Sequence, residues 1–325
     1  MKTRMSFWLV LSVVAAGCAS GGALKPAAPA DATAPAVLWR DPGPIGSLDL
    51  FWGAGSEAGA PQGPFAFVEE DKTGTNPKIT VKDARGATWD MKFDEEVHAE
   101  VAANRLVWAL GYFVEHQYFV REGTVTGATG LSRAAAFIGP GGAFKNARFR
   151  ARHPDMPRTE EDWTLQSSPF ARTKELSGLM ILMTLVNNWD IEGPRNNKVL
   201  RATSPDGRVE RRYLVADLGA TFGRMGGGVV TNHTKWNLDH FRQEPFIEKV
   251  SDGTVHLSHD GFDPDLDKVP VEHARWFAGL ATQLTPAQIR RAFEAAGAPP
   301  HLVEGFSTKL TEKIAALKSA VGAAP

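Results

Sequence analysis

The chain has 325 residues, a formal net charge of −1 at pH 7 and a single cysteine. A net charge near zero gives no reason to expect nucleic acid or a strongly acidic partner, and one cysteine excludes a disulfide within the chain. The 18 Phe and 9 Trp are typical of a folded protein with a real core, and the length is sufficient for one large domain or two lobes.

The N-terminus combines a basic start with a short apolar run. Two basic residues precede the run 7–16, and Gly17 and Cys18 follow it. The run is about half as long as the roughly twenty residues that cross a bilayer. The pattern therefore predicts a secretory signal peptide over residues 1–17.

The four residues 15–18, AAGC, resemble the lipobox of bacterial lipoproteins. The resemblance implies cleavage before Cys18 and lipidation of that cysteine, and two or three acyl chains give stable anchoring. The next residues, Ala19 and Ser20, are similar to signals for the outer membrane. We therefore expect a protein of the bacterial cell envelope, anchored in the outer membrane and facing the periplasm. The alternative is an ordinary signal peptide in which Cys18 is incidental.

Residues 18–46 consist largely of Ala, Pro and Gly, with few large apolar side chains. Such a composition does not bury a core. It predicts a flexible tether between the lipid anchor and the folded part.

Residues 47–123 predict a β-rich N-terminal lobe with one helix. Four runs of β-forming residues occur, at 65–68, 79–81, 88–93 and 118–120. Turn-forming residues separate the first three runs. Between 94 and 110 apolar residues recur near helical spacing, and Gly111 follows as a stop signal. We expect a small antiparallel sheet with one inserted helix.

Residues 124–325 predict a mainly helical C-terminal lobe, so that the fold class is α+β. The irregular segment 124–166 allows no assignment. A strongly apolar helix is expected over 173–188, and two short strands, joined by a polar turn, over 199–215. Three further helices are predicted at about 270–283, 285–296 and 302–320.

Six charged or amide residues stand in an order that suggests chemistry. They are Lys92, Glu100, Asp190, Asn196, Asn197 and Asp217. The lysine lies on a predicted strand and the glutamate on the next helix. The first aspartate follows the apolar helix, with the two amides just beyond it, and the second aspartate ends the hairpin.

This order resembles the protein-kinase-like superfamily, and above all its atypical members: HipA-type kinases, phosphoinositide kinases and secreted FAM20-like kinases. The resemblance covers about residues 48–228 and implies a two-lobed protein-kinase-like fold. It implies that Lys92 holds the nucleotide phosphates and pairs with Glu100 on the helix.

The resemblance also implies roles for the later residues. Asp190 would orient or deprotonate an acceptor hydroxyl, while Asn197, or else Asn196, and Asp217 would bind the metal. The implied cofactors are Mg²⁺ and ATP, because cations and carboxylate-held magnesium meet the negative charge that spreads in phosphoryl transfer. The implied partner is a protein or small-molecule acceptor.

Three features depart from the family pattern. The gap between Asp190 and the asparagines is one or two residues longer than usual. Trp189 and Ile191 flank Asp190, where an Asp-Arg-His motif is expected. The glycine-bearing stretch 53–59 is a poor phosphate loop and lies far upstream, and the turn 72–77 is its rival.

These departures leave two other readings open. One is the same fold without turnover, serving as a binding or scaffold protein of the envelope. The other is an unrelated metal-dependent hydrolase that uses Asp190, Asp217 and His240. For Lys92 and Glu100 the simplest alternative is a solvated ion pair, which stabilises little.

Overall fold

The computed structural model describes residues 33–152, 158–193, 196–226, 232–259 and 266–323. The predicted signal peptide, the predicted lipidation site Cys18 and residues 18–32 of the predicted tether lie outside the described residues.

Residues 33–46 correct the predicted extent of the tether, because they belong to the folded domain. Strand β1 (Ala36–Val37) pairs in parallel with the later strand Val209–Leu214. Leu38 and Ile45 are buried in the larger apolar core. The Ala- and Pro-rich composition of the segment does not indicate that Leu38 and Ile45 are core residues.

Five strands close into a barrel. They are β2 (Phe65–Asp71), β3 (Lys78–Lys82), β4 (Thr88–Lys92), β5 (Gln117–Thr126) and β6 (Ala143–Ala151). Their order is β2-β3-β4-β6-β5, and a parallel contact between Phe65 and Val125 joins the last strand to the first. The other pairs are antiparallel, as predicted.

The predicted lobe boundary at residue 123 is wrong. It falls inside β5, and β6 comes from the segment 124–166 that allowed no assignment. The barrel needs β6 because β4 and β5 do not pair directly, and β6 lies between them. The barrel interior holds a separate apolar core, in which the rings of Phe65 and Phe149 lie 4.6 Å apart.

Helix α1 (Glu96–Ala109) follows β4 in the chain and packs against the part of the protein outside the barrel. Most of its buried apolar side chains, from Ala99 to Ala109, belong to the larger core, and none belongs to the barrel core. Small residues such as Ala99 and Ala103 allow close packing there. The helix stops at the predicted Gly111, whose φ is +90° and where a Cβ would lie 2.4 Å from the carbonyl oxygen of Arg40.

The middle of the chain forms a helix and a four-stranded sheet. Their elements are β7 (Arg158–Trp163), α2 (Lys174–Leu185), β8 (Asn197–Thr203) and β9 (Val209–Leu214). The sheet order is β1-β9-β8-β7. Helix α2 begins at the cap residue Thr173, whose hydroxyl accepts from the amide of Leu176 at 3.2 Å, and it is almost wholly buried.

Among the described residues, the C-terminal part contains four helices and a three-stranded sheet, and the last three helices lie close to the ranges predicted for them. The elements are α3 (Leu238–Gln243), β10 (Ile247–Ser251), β11 (Thr254–Leu257), β12 (Lys268–Pro270), α4 (Val271–Ala281), α5 (Pro286–Ala295) and α6 (Pro300–Ala323). A capping box between Thr285 and Gln288 starts α5. Among the described residues, no helix has both the length and the apolar character to span a membrane.

Candidate functional site

Lys92 and Glu100 form a buried ion pair where β4 meets α1. Lys92 Nζ lies 3.1 Å from Glu100 Oε2, and the two residues are 5 % and 3 % exposed. The pair is therefore not a solvated surface contact. Across β6 and β5, Arg148 Nη2 lies 3.2 Å from Glu100 Oε1, and the side-chain amide of Gln117 donates to the same oxygen at 2.9 Å.

The charges around Glu100 fix its ionisation. Burial alone would raise the pKa of this carboxyl, but Arg148 and Lys92 outweigh burial and hold the pKa at about 2. Burial likewise lowers the pKa of Lys92, and the facing carboxylates more than reverse this and raise it. Both groups stay charged near neutral pH. Because Glu100 is enclosed, its effect on any ligand passes through Lys92.

A second carboxylate, Glu96, contacts Lys92 and was not among the predicted site residues. Its Oε2 lies 2.7 Å from Lys92 Nζ, and its Oε1 lies 2.6 Å from Lys235 Nζ. The side-chain amide of Asn76 also donates to Glu96. The sequence signal that could have identified Glu96 is the short connection from β4 to α1, because Lys92 ends the strand and Glu96 begins the helix four residues later.

Asp217 lies just after β9 and faces Lys92, with 3.8 Å between Asp217 Oδ1 and Lys92 Nζ. Its φ of 52° turns the chain sharply there. Restricted hydration raises the pKa of the Asp217 carboxyl, Lys92 opposes this, and the negative charges of Glu100, Glu96 and Asp190 raise the pKa further. The side chain is nevertheless 46 % exposed, so it remains open to a ligand.

Asp190 lies in the loop after α2, and the loop is held from both sides. The side-chain oxygen of Asn188 accepts from the Asp190 amide at 3.0 Å, and Asn187 donates to the carbonyl of Gly223 at 2.7 Å. Partial burial raises the pKa of Asp190, and Glu96 adds to the increase. A raised pKa suits a group that has to accept a proton.

The two adjacent asparagines differ in what their side chains do. Asn197 is fully buried; its amide donates to the carbonyl of Ile191 at 2.9 Å, and its oxygen accepts from the amide of Ala216 at 3.2 Å. The prediction of Asn197 as the metal ligand is therefore corrected, because both ends of its side chain bind backbone. Asn196 is only half-buried, and its side-chain amide donates to the carbonyl of Asp190 at 2.6 Å, so it is the more accessible of the two asparagines.

Two aromatic side chains that the sequence did not single out as site residues lie beside Asp190. The rings of Trp189 and His233 stack with centroids 4.4 Å apart, and Trp189 Nε1 donates to the carbonyl of Thr234 at 3.2 Å. His233 lowers the pKa of Asp190. This contact joins the loop that carries Asp190 to the segment that follows Asp217 along the chain.

Two buried basic groups, His259 and Lys313, lie beneath the Asp190 loop. His259 Nε2 bonds the carbonyl of Asn188 at 2.7 Å, and burial lowers the pKa of His259 to about 4. Lys313 Nζ donates to Asn187 Oδ1 at 2.6 Å, and burial lowers its pKa well below the usual range. These groups support the two residues that precede Trp189 and Asp190.

The two candidate phosphate loops lie in different places. Gly53 packs against Arg105, and Gly55 against the ring of Tyr118, so the stretch 53–59 serves packing. The turn 72–77 joins β2 to β3, and its end reaches the site through the contact of Asn76 with Glu96.

The donor set fits a divalent cation held partly by a ligand. The carboxylates of Glu96, Glu100 and Asp217 contact Lys92, Arg148 or Lys235, and Asp190 lies close enough to Asp217 to raise its pKa. In the described part of the chain, no group of three or more His, Cys, Asp or Glu is arranged to hold a metal alone. Mg²⁺ commonly binds through one or two carboxylates and the phosphates of a substrate, and the open carboxylate of Asp217 is a donor of that kind.

The comparisons with known proteins give a weak structural likeness. No protein-family model matches the sequence, and no curated protein is significantly similar to it. The crystal structure of the Golgi casein kinase is similar with a TM-score of 0.44 and 12 % identity, covering 81 % of this chain and 71 % of that one. The same kinase with Mn/ADP bound gives a TM-score of 0.40 and 13 % identity, covering 81 % and 73 %.

Proposed function

We propose that the protein is a phosphotransferase with a two-lobed kinase-like domain that binds a nucleotide and a divalent cation between the barrel and the helical part. One observation carries the proposal. Lys92, fixed to Glu100 at 3.1 Å, also lies 3.8 Å from Asp217, which comes from the other side of the site. A buried cation joined to an open carboxylate is suited to phosphate and metal together.

The residues divide the work between them. Lys92 would bind phosphate oxygens, with Glu100 fixing its direction. Asp217 and Asn196 would hold Mg²⁺ or a similar ion, which would neutralise phosphate charge. Asp190 would accept the proton of the acceptor hydroxyl as its oxygen bonds to phosphorus and the bond between phosphorus and the nucleotide oxygen breaks. The turn 72–77 would cover the phosphates.

A second candidate function is a binding or scaffold protein with the same site and no turnover. The observation that favours it is the aromatic contact beside Asp190, since Trp189 stands where the family pattern has a different motif. The hydrolase alternative has less support. His240 Nδ1 is bonded to the Thr234 hydroxyl at 3.0 Å, and no metal cluster of His, Cys, Asp or Glu exists among the described residues.

We also propose that the domain works in the bacterial cell envelope, held by a lipid on Cys18. The support is the sequence pattern before Cys18 alone. Since residues 33–46 belong to the domain, the tether shortens to about residues 18–32. Radiolabelled palmitate incorporated into the full-length protein, and lost in Cys18→Ser, is the expected result. Equal labelling of both would contradict lipidation at this cysteine.

Phosphoryl transfer tests the proposal directly. The full-length protein in detergent is incubated with Mg²⁺ and ATP labelled in the terminal phosphate, with an envelope extract as acceptor. Transfer should occur with the wild type and fall by at least about a hundredfold in Asp190→Asn. Asp206→Asn, an exposed turn aspartate paired with Arg208, is the matched control and should keep full activity. Nucleotide binding without any transfer would favour the scaffold function.

A further inference from the structure

A loop between β5 and β6 grips the turn 72–77 through one arginine. Arg133 Nη1 donates to three successive backbone carbonyls, those of Lys72 at 3.1 Å, Thr73 at 3.3 Å and Gly74 at 2.8 Å. Its Nη2 donates to the carbonyl of Thr75. A single guanidinium thus holds four consecutive residues of the turn.

The same loop is fixed to β2 by a carboxylate. Glu70 Oε2 accepts from the amide and the hydroxyl of Ser132 at 2.9 and 2.8 Å, and Glu70 Oε1 accepts from the amide of Ala134 at 2.8 Å. The amide of Ala134 is the largest influence that holds the pKa of Glu70 at about 2. Arg133 therefore stands between two anchored neighbours, and its position is set by the barrel.

The hydrogen bonds from Arg133 fix the direction in which the backbone amides of the turn point. In a trans peptide the carbonyl and the following N–H point in opposite directions. When four carbonyls face Arg133, the N–H groups of the following residues face away from it. The Thr73 amide is bonded to Asp71 at 2.8 Å, whereas the amides of Gly74, Thr75 and Asn76 have no acceptor within the described parts of the chain.

These amides border the site. Lys78, two residues past Asn76, lies opposite Lys92 in the β3–β4 pair. The carbonyl of Pro77 accepts from the amide of Phe93 at 3.1 Å, and Asn76 reaches Glu96, which touches Lys92. Successive N–H groups without partners are suited to bind an anion, and this turn lies at the Lys92 end of the barrel.

We infer that Arg133 is a positioning residue that holds the turn 72–77 open toward the phosphates of the donor before the donor binds. The inference rests on the proposed function, and its ligand chemistry is a nucleoside triphosphate or another chain of phosphates. A turn that is already ordered loses less conformational freedom on binding, so the phosphates bind more tightly. Arg133 acts through the turn, since its two terminal nitrogens donate to the four carbonyls, and this role needs no contact between Arg133 and phosphate.

Binding measurements on the full-length protein in detergent test the inference. The probes are ATP, inorganic tripolyphosphate and adenosine, each with Mg²⁺. Arg133→Gln should weaken the binding of ATP and tripolyphosphate by about tenfold and leave the binding of adenosine unchanged. A general loss of structure would weaken the binding of all three probes. Where transfer is measurable, KM for the donor should rise while kcat stays the same. Arg133→Lys should restore little, since an ammonium has only three donors and no planar fork.

Arg85→Gln is the matched control. The Arg85 guanidinium also binds backbone carbonyls, those of Ala58 at 2.7 Å and Ala60 at 2.5 Å, away from the turn. This variant should bind all three probes as the wild type does. If Arg133→Gln binds ATP and tripolyphosphate like the wild type, the positioning role is overturned and the proposed function stands. If the wild type binds neither ATP nor tripolyphosphate, the proposed function and the phosphate turn both fail.

Discussion

The carboxyl pKa values are shifted in opposite directions on the two sides of the candidate site. On the barrel side, Glu100 is enclosed by Lys92, Arg148 and Gln117, and its pKa is held at about 2. On the loop side, the pKa values of Asp190 and Asp217 are raised, and both carboxylates stay partly open. The first arrangement is complete without a ligand. The second has negative charge in excess, which a bound cation would relieve.

Backbone structure explains the difference. Lys92 ends a strand and Glu100 lies within a helix, so regular elements fix both. Asp190 and Asp217 lie in loops that contain left-handed residues, Asn187 at a φ of 54° and Asp217 itself at 52°. Functional residues are commonly carried on loops that a rigid scaffold positions. The residues of the barrel side are therefore fixed by regular elements, and the loop side carries two partly open carboxylates.

The largest effect is expected on the barrel side. Lys92→Met should lower the free energy of unfolding by about 3 kcal/mol, because it leaves buried carboxylates without their shared cation. Urea unfolding of the full-length protein in detergent measures this. Lys78→Met is the control, since Lys78 pairs with Asp71 nearer the surface at 3.0 Å and should cost less than about 1 kcal/mol. Equal costs for both variants would remove the contrast between the two sides.

Acid should destabilise the loop that carries Asp190. The pKa of His259 is lowered to about 4 in the folded state, so the unfolded chain binds a proton first as the pH falls below about 6.5. Stability should therefore decrease between pH 6.5 and 4, by at most about 3 kcal/mol from this residue. Hydrogen exchange should show residues 186–193 opening before the barrel strands.

His259→Gln tests the origin of that acid sensitivity, with His301→Gln, an exposed residue of α6, as the control. The first variant should show a flatter dependence of stability on pH from 6.5 to 4, and the second should follow the wild type. An unchanged slope in His259→Gln would show that other groups cause the acid sensitivity.

The smallest effect is expected at Asp217. Its pKa is raised on folding, so the ionised carboxylate opposes folding above that pKa, and the effect is lost below about pH 3.8, where the group is protonated in both states. Asp217→Asn should stabilise the metal-free protein at pH 7 by less than about 1 kcal/mol, since the side chain is partly solvated. The pKa of Asp206 is lowered to about 2, so Asp206→Asn should change stability in the opposite direction. A destabilised Asp217→Asn would contradict the excess of negative charge.

The sequence predicts the barrel side better than the loop side. Lys92 and Glu100 are predictable because a strand and the next helix connect them over a short stretch of chain. Arg148 and Gln117 are not, since β5 and β6 bring them to Glu100 only when the barrel closes. Glu96 follows Lys92 by only four residues, so its contact with that lysine is predictable as well. Glu100 alone is predicted from the sequence as the partner.

On the loop side the sequence predicts the residue types but not their contacts. The choice between Asn196 and Asn197 depends on which side chain faces the backbone of Ile191 and Ala216, and that follows from the register of β8. Lys313 lies 126 positions from Asn187, so no local pattern connects the two. The start of the domain was missed because Leu38 and Ile45 are isolated among small residues.

Cation-dependent nucleotide binding tests the central claim most directly. Isothermal titration of the full-length protein in detergent with ATP is performed with and without Mg²⁺ or Mn²⁺, on the wild type and on Asp217→Asn. The account predicts that the wild type binds ATP at least about tenfold more tightly with the cation, and that Asp217→Asn loses this enhancement while remaining folded. Two results would contradict the account: equal ATP affinity with and without the cation, or an enhancement by the cation that persists in Asp217→Asn. Either would show that Asp217 and the open carboxylate side are not the metal-binding half of the site.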